Sequence, residues 1–464
     1  MKTNVNRRRF LQTGAIACAA NSLPKLTFAQ QTAETNRVPD VEVLHPFGRI
    51  PLSFVIDDST CLVNMGHFCM PQFREAWPDR KIYHQPWQQW PREIPDAFVR
   101  EFGEWCQMHG VKGKYSIVPY PACVGWLDRG LPGWSKAALD ASLKLVRDLM
   151  VPNWDIHPEM ITHTRVIDLK TGRPMPTASD ATMENSFPQT DISVDELTAY
   201  MAFALKILNN CDLPCEGITT PGGFGNRVKQ KLPQAVFEAV RDIYGTDLPH
   251  YFKYIAEGDE PTTPKLEYID SKGQSDRLTM NVLAGTGDWF GGWEGVQLSE
   301  PDRYANADAT SGRMVELIQR NQPAVMLCHW PGIYCNGTKT GFQAFQRIVL
   351  SLAERYHDST IWMKLSEIGR YEAAKQLTQI VRQDNELMLN APYDCPGFTI
   401  RCSNIRAAAI VTNQTEAPLR LVNKLSELTE GAMFVDKRDN SPNVESTLCF
   451  RLNHGENRIR FANV

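Results

Sequence analysis

From about residue 50 to 375, short apolar runs alternate with stretches whose apolar residues recur every three or four positions. That alternation predicts β/α units around a parallel sheet. Leu52-Ser-Phe-Val-Ile56 reads as a buried strand. Pro95 opens a helix through Phe98, Phe102 and Trp105 that stops at Gly110, and Lys114-Tyr-Ser-Ile-Val118 is the next strand. Leu139, Leu143, Val146 and Leu149 keep helical spacing across 135–150. Ser193 with Glu196 makes a capping box before the helix through Leu197, Met201 and Leu205. Further strands are predicted at 216–220, 280–283, 324–327 and 360–363, with helices near 226–242, 310–320 and 341–356. Seven or eight such units, over 50–375, are enough to close a (β/α) barrel of the α/β class. In such a barrel, active residues gather at the C-terminal ends of the strands.

After about residue 380 the pattern changes. Phe398–Cys402, Ala407–Val411, Leu419–Val422, Met433–Val435, Thr447–Leu452 and Ile459–Phe461 are strand-like, separated by turn residues, with no helix between them. A small C-terminal antiparallel β-sandwich over 380–464 is the economical reading. Its expected role is to cap the barrel or to bind carbohydrate.

The first residues carry a different signal. Arg7-Arg8-Arg9 and Phe10-Leu11 lead into a short, weakly apolar stretch and then Thr27-Phe28-Ala29. This is the layout of a twin-arginine signal peptide over 1–29, with a linker at 30–49. No apolar run approaches the roughly 20 residues that span a bilayer. The expectation is a protein that folds in the cytoplasm, meets the twin-arginine translocase during export, and ends up periplasmic or secreted. Its twelve Cys should be thiols while the fold forms, most of them serving as buried small hydrophobes.

A net charge of −4 offers no basic face for nucleic acid. Trp77, Trp87 and Trp90 cluster in a polar, proline-broken segment that either presents rings to a sugar or anchors an insertion. The sharper chemistry follows the strands. Asp57-Asp58 closes the first one, and adjacent carboxylates repel unless a cation or proton offsets them. The third strand region reads Trp154-Asp-Ile-His157-Pro-Glu159-Met-Ile-Thr-His163, with two His and a Glu inside seven residues. Ala324-Val-Met-Leu-Cys-His329-Trp330 is an apolar strand ending in His, and Gly287-Asp288-Trp289 follows another strand.

In that order, these segments resemble the motifs of the polysaccharide deacetylase (NodB-like) superfamily, over roughly residues 50–370. The resemblance implies Asp57 as general base, Asp58 as metal ligand and His329 as general acid. It places His163, after Thr162, at the second imidazole ligand position. The first ligand position falls on Glu159, with His157 as the alternative. The implied cofactor is one divalent cation, zinc by preference, with Co, Ni or Mn also compatible. Gly222, Asp288, Trp289 and Trp330 are the expected substrate-binding residues, and a carbohydrate losing an N-acetyl or O-acetyl group is the implied substrate. The family's Arg-x-Pro-aromatic-Gly appears here as Thr219-Thr-Pro221-Gly-Gly223, so the Arg that pairs with the base Asp is missing. Its absence also leaves Asp288 without a partner unless Arg227 supplies one. Two other readings fit the same chain: a metal-independent glycoside hydrolase working with two carboxylates, and a carbohydrate-binding barrel without catalysis.

Overall fold

A computed structural model describes residues 38, 40–268, 277–292, 295–412, 415–436 and 444–461. The twin-arginine segment, its cleavage position and the first part of the linker lie outside these residues. The architecture is mixed α/β, followed by two β-sheets.

The chain opens with β1 (Val41–Val43), inside the stretch read as linker, and continues with β2 (Ile50–Asp57), α1 (Met65–Ala76), α2 (Asp96–Met108), β3 (Gly113–Ser116), α3 (Lys136–Leu145) and β4 (Trp154–His157). A small hairpin, β5 (Ile167–Asp168) and β6 (Arg173–Pro174), precedes α4 (Val194–Asn210), β7 (Gly217–Thr219), α5 (Leu232–Tyr244), β8 (His250–Ile255), β9 (Lys265–Tyr268) and β10 (Leu278–Ala284). Then come α6 (Arg313–Gln319), β11 (Ala324–His329), α7 (Trp330–Tyr334), α8 (Thr340–Tyr356), β12 (Thr360–Trp362) and α9 (Leu365–Leu377). The predicted capping box is present: Ser193 Oγ accepts from Glu196 N at 3.1 Å, and Ser193 N donates to the Glu196 carboxylate at 2.9 Å. Several elements were not read from the sequence, among them α1, β8 and α9. α1 falls where no apolar period shows, and His250-Tyr-Phe-Lys-Tyr-Ile255 carries too many polar positions to read as a strand.

β11, β2, β3 and β4 form one parallel sheet, with β12 joining β2 at Ile50–Leu52. β7, β8 and β10 form a second parallel sheet, edged by antiparallel β9. The two sheets meet at both margins. Thr219 N–H donates to the Pro158 carbonyl at 3.1 Å on one side, and Gly285 N–H donates to the Val325 carbonyl at 2.9 Å on the other.

Side chains alternate across a strand, so register decides which residues share a face. Val55, Lys114 and Asp155 stand side by side, and two positions on, Ser116 is level with His157. On the same face of β2, Val55 packs with Phe252, Val282, Ala284, Val325 and Leu327. This inner layer is therefore polar along β3 and β4 and apolar along β10 and β11. The opposite face is uniformly apolar: Phe54 stacks on Phe345 of α8 at 4.4 Å and meets Trp154 edge-on.

The C-terminal part is two five-stranded sheets, formed by β13 (Gln379–Gln383), β14 (Glu386–Ala391), β15 (Cys395–Ser403), β16 (Ala408–Thr412), β17 (Thr415–Pro418), β18 (Arg420–Val422), β19 (Ala432–Asp436), β20 (Glu445–Leu452) and β21 (Gly455–Phe461). Their orders are β1-β15-β20-β19-β18 and β13-β14-β21-β16-β17. One core joins them, with Leu387, Leu389 and Ile459 from one sheet and Phe398, Ile400, Leu448 and Phe450 from the other. β1 pairs with β15, so the segment ahead of β2 crosses back to the C-terminal sheets. Tyr371 of α9 ties the two regions together: its hydroxyl accepts from Thr399 N at 3.1 Å and donates to the Leu44 carbonyl at 3.0 Å.

Candidate functional site

β2 ends in Asp57, and the chain then turns through Asp58 at φ 58°. β4 ends in His157, and the segment beyond it holds Glu159 and a loop in which Met160 and His163 also have positive φ. These two exits bring Asp58, Glu159 and His163 into one buried group. Asp58 N–H donates to Glu159 Oε2 at 2.8 Å. Asp58 Oδ1 lies 3.0 Å from His163 Nε2, and Glu159 Oε1 lies 3.4 Å from His163 Nδ1. Burial alone would lower the pKa of His163, but the Asp58 and Glu159 carboxylates hold it at about 9.

The donor set fits a divalent cation. Two carboxylates and an imidazole are zinc-type ligands. Asp58 Oδ1 and His163 Nδ1 make no hydrogen bond among the described residues, although both are buried. Among the described residues their ion-pair partners lie within the group, at 3.0 and 3.4 Å, and a cation would supply the bonds these atoms lack. Glu159, rather than His157, stands with Asp58 and His163; His157 turns to the inner layer of the sheet, where it meets His250.

Asp57 points to the same inner layer, and its counter-ion is Lys114. The ammonium contacts Asp57 Oδ1 and donates to Ser116 Oγ at 2.8 Å and the Ile56 carbonyl at 3.1 Å. Lys114 is wholly buried, inside a strand that is buried at every position. A lysine at that depth persists only when paired and hydrogen-bonded. Its ammonium is the cation that offsets the Asp57 carboxylate. The signal was in the sequence, as a Lys within an apolar strand, but only the register with β2 shows which carboxylate it meets. Burial, then Glu159, push the Asp57 pKa up to about 6, with Lys114 and His329 pulling the other way.

His329 ends β11 in register with Asp57. Its Nδ1 lies 2.8 Å from Asp288 Oδ2, and its backbone N–H donates to the same oxygen at 3.2 Å. Burial alone would lower the His329 pKa, but the hydrogen bond to Asp288 and the charges of Asp288, Asp58 and Asp57 together outweigh it and the value stands at about 10. Asp288 is thus partnered by His329, while Arg227 is exposed.

Trp330 corrects an expectation. It does not line a cavity but lies fully buried against Phe98, Phe102 and Tyr115, because α7 starts directly after His329 and turns that ring into the helix layer. Trp289 is half-buried, with the Arg303 guanidinium 4.2 Å from its ring centre. Gly222 is exposed beyond the end of β7, at φ 42°. In the tryptophan-rich segment Trp90 is buried, Trp87 meets His67 edge-on and Trp77 Nε1 donates to Asp180. Those contacts are those of an anchored insertion.

One residue gave no sequence signal at all. Glu184 is fully buried and accepts from the backbone N–H groups of Ile161, Thr162 and His163 at 3.1, 3.0 and 2.6 Å, and from the Tyr200 hydroxyl at 2.6 Å. These bonds fix the loop that carries His163.

No protein-family model and no curated protein matches the chain. Among solved structures, a CE4-family pseudoenzyme from Bacillus anthracis is 13% identical, with a TM-score of 0.28 over 70% of this chain and 67% of that one. A protein described as a glycoside hydrolase/deacetylase from Parabacteroides distasonis is 11% identical, with a TM-score of 0.38 over 83% and 87%. The α-fucosidase of Thermotoga maritima is 10% identical, with a TM-score of 0.28 over 93% and 99%.

Proposed function

We propose that this chain is a metal-dependent hydrolase that removes acetyl groups from a carbohydrate outside the cytoplasm. The observation that carries the reading is the convergence of Asp58, Glu159 and His163 in one buried group, with Asp57 on Lys114 and His329 on Asp288 beside it. We read the two parallel sheets as a closed seven-stranded barrel in the order β11-β2-β3-β4-β7-β8-β10, supported by the hydrogen bonds at both margins. All these groups then stand at the C-terminal ends of its strands, where barrel enzymes carry their chemistry. The export signal at 1–29 supports a periplasmic or secreted location, reached through the twin-arginine translocase.

A cation held by Asp58, Glu159 and His163 would supply Lewis-acid polarisation of the acyl oxygen and a more acidic water. The remaining work falls to side chains. Asp57, fixed by Lys114 and Ser116, takes the proton of the attacking water at a carboxylate oxygen. His329 commits Nδ1 to Asp288, which leaves Nε2 to donate a proton to the departing amine. The C–N bond breaks and the products are acetate and a free amino sugar. Lys114 and Asp288 touch no reacting atom; they hold the base and the acid in position. A hydrolase working with two carboxylates alone would leave His163, Lys114 and the His329–Asp288 pair without a role.

The test is metal content and acetate release from N-acetylated glycans, with and without chelator, using the chain from residue 30. Bound metal that is lost in His163→Ala, together with chelator-sensitive acetate release, is the expected result. Bound metal without acetate release from any acetylated glycan would favour a binding protein. Acetate release indifferent to chelator would overturn the metal role.

A further inference from the structure

The inner layer holds a second convergence of ligand atoms, one that the proposed hydrolysis does not use. Asp155 and His157 stand two residues apart on one face of β4, and His250 opens β8 across from them. All three are buried, and one ligand atom from each lies within 4.8 Å of the others. His157 Nε2 is 2.8 Å from His250 Nε2, and Asp155 Oδ2 is 3.7 Å from that same His250 nitrogen.

We propose that Asp155, His157 and His250 hold a second divalent cation, zinc by its ligand set, with a structural role. Two of the three ligands are already oriented from behind, as metal ligands are, while His250 Nδ1 is buried without a hydrogen bond among the described residues. Ser366 N and Oγ donate to the two Asp155 oxygens at 2.7 and 2.8 Å, and His157 Nδ1 lies 3.2 Å from Thr219 Oγ1. Gly217, paired with His250, keeps the centre open: a Cβ there would come within 2.6 Å of His157 Nε2. No Lys or Arg forms an ion pair with Asp155 among the described residues, and Lys114, in the same row, is taken by Asp57. Tetrahedral zinc–nitrogen bonds of about 2.0–2.1 Å set two imidazole nitrogens about 3.3 Å apart, so the His pair must open by about half an ångström from 2.8 Å to admit the ion. Two imidazoles and a carboxylate suit zinc. Complete burial leaves no room for substrate, so the cation would act by stabilising the fold. A cavity of about 390 Å³, bounded by Glu216, Ser366 and Arg370, reaches Ser366, the residue that bonds Asp155.

The experiment is to strip the mature chain with chelator, titrate it with Zn²⁺ and count bound zinc after desalting. Two equivalents are expected in wild type, one in His163→Ala, and none in His163→Ala/His250→Gln. In the His163→Ala background, chelation should lower the melting midpoint by several degrees. A His163→Ala protein that melts cooperatively and binds no zinc overturns the proposal. So does a wild type whose zinc count is unchanged by His250→Gln. If His250→Gln does not fold, Asp155→Asn replaces it, and the first two counts need no change in the cluster. The two sites fail separately. One equivalent that survives His163→Ala and vanishes in His250→Gln supports this site alone, and the reverse pattern overturns it.

Discussion

Among the described residues, every buried Asp, Glu, His and Lys lies between Asp57 and His250, whereas the two sheets after residue 378 bury only hydroxyl and amide polar groups: Thr399, Ser446, Thr447 and Asn457. Both regions have continuous apolar cores, so the difference is not one of packing quality. Ionic groups in a core cost several kcal/mol each unless paired, and an apolar replacement is often more stable. The C-terminal sheets are built to be stable, with Leu387, Phe398, Leu448 and Phe450 between them. The inner layer near β2, β3 and β4 accepts the cost, and it does so beside Asp57, Asp58, Glu159 and His163.

The comparison breaks first at Asp57. Asp57→Asn is expected to lower turnover by about 10²–10⁴-fold, the range of a general base, while bound metal is kept. Steady-state acetate release and metal analysis check both parts. Next is Lys114→Met, which strands a buried carboxylate and should cost about 3–5 kcal/mol in denaturant unfolding. The double variant Lys114→Met/Asp57→Asn should recover part of that loss, because the charge left behind is gone. In the other region, Leu448→Ala should cost about 2–5 kcal/mol through the cavity it leaves. Its activity per folded molecule should match wild type, and a loss of turnover there would blur the division between the regions.

The smallest effect is electrostatic. The folded pKa of His329, about 10, lies above its ordinary value of 6.5. The folded state therefore binds that proton more tightly, and the stability gained is complete below pH 6.5 and lost as pH rises through about 10. Wild type should lose stability across that window, and Asp288→Asn should lose less, as read from melting midpoints between pH 6 and 10.

Much of the fold was legible. The periods at 95–110, 135–150 and 193–205 returned helices, and the apolar runs at 52–56, 114–118 and 324–327 returned strands, because each lies in a layer with one burial rule. β8 was not legible: it exposes its last residues and opens with His250, so neither alternation nor an apolar run marks it. Of the candidate site, Asp57, Asp58, Glu159, His163, His329 and Asp288 were named from strand ends and are assembled by the fold. Trp330 was misplaced, since a ring after a strand end reads the same whether it faces a cavity or a helix. Glu184 could not have been found, because it acts through backbone groups that no side-chain pattern encodes.

The sequence by itself determined the order of units, the carboxylates and imidazoles at strand ends, and the change near residue 380 to β-sheets, which are antiparallel except where β18 pairs with β19. Those features are local, set by hydrophobic period and turn residues. Only the tertiary structure decided that Lys114 is the counter-ion of Asp57, that His157 belongs with Asp155 and His250 rather than with Asp58, and that β1 returns to β15. Such choices depend on register between strands distant in sequence, and a shift of one residue turns every side chain to the other face.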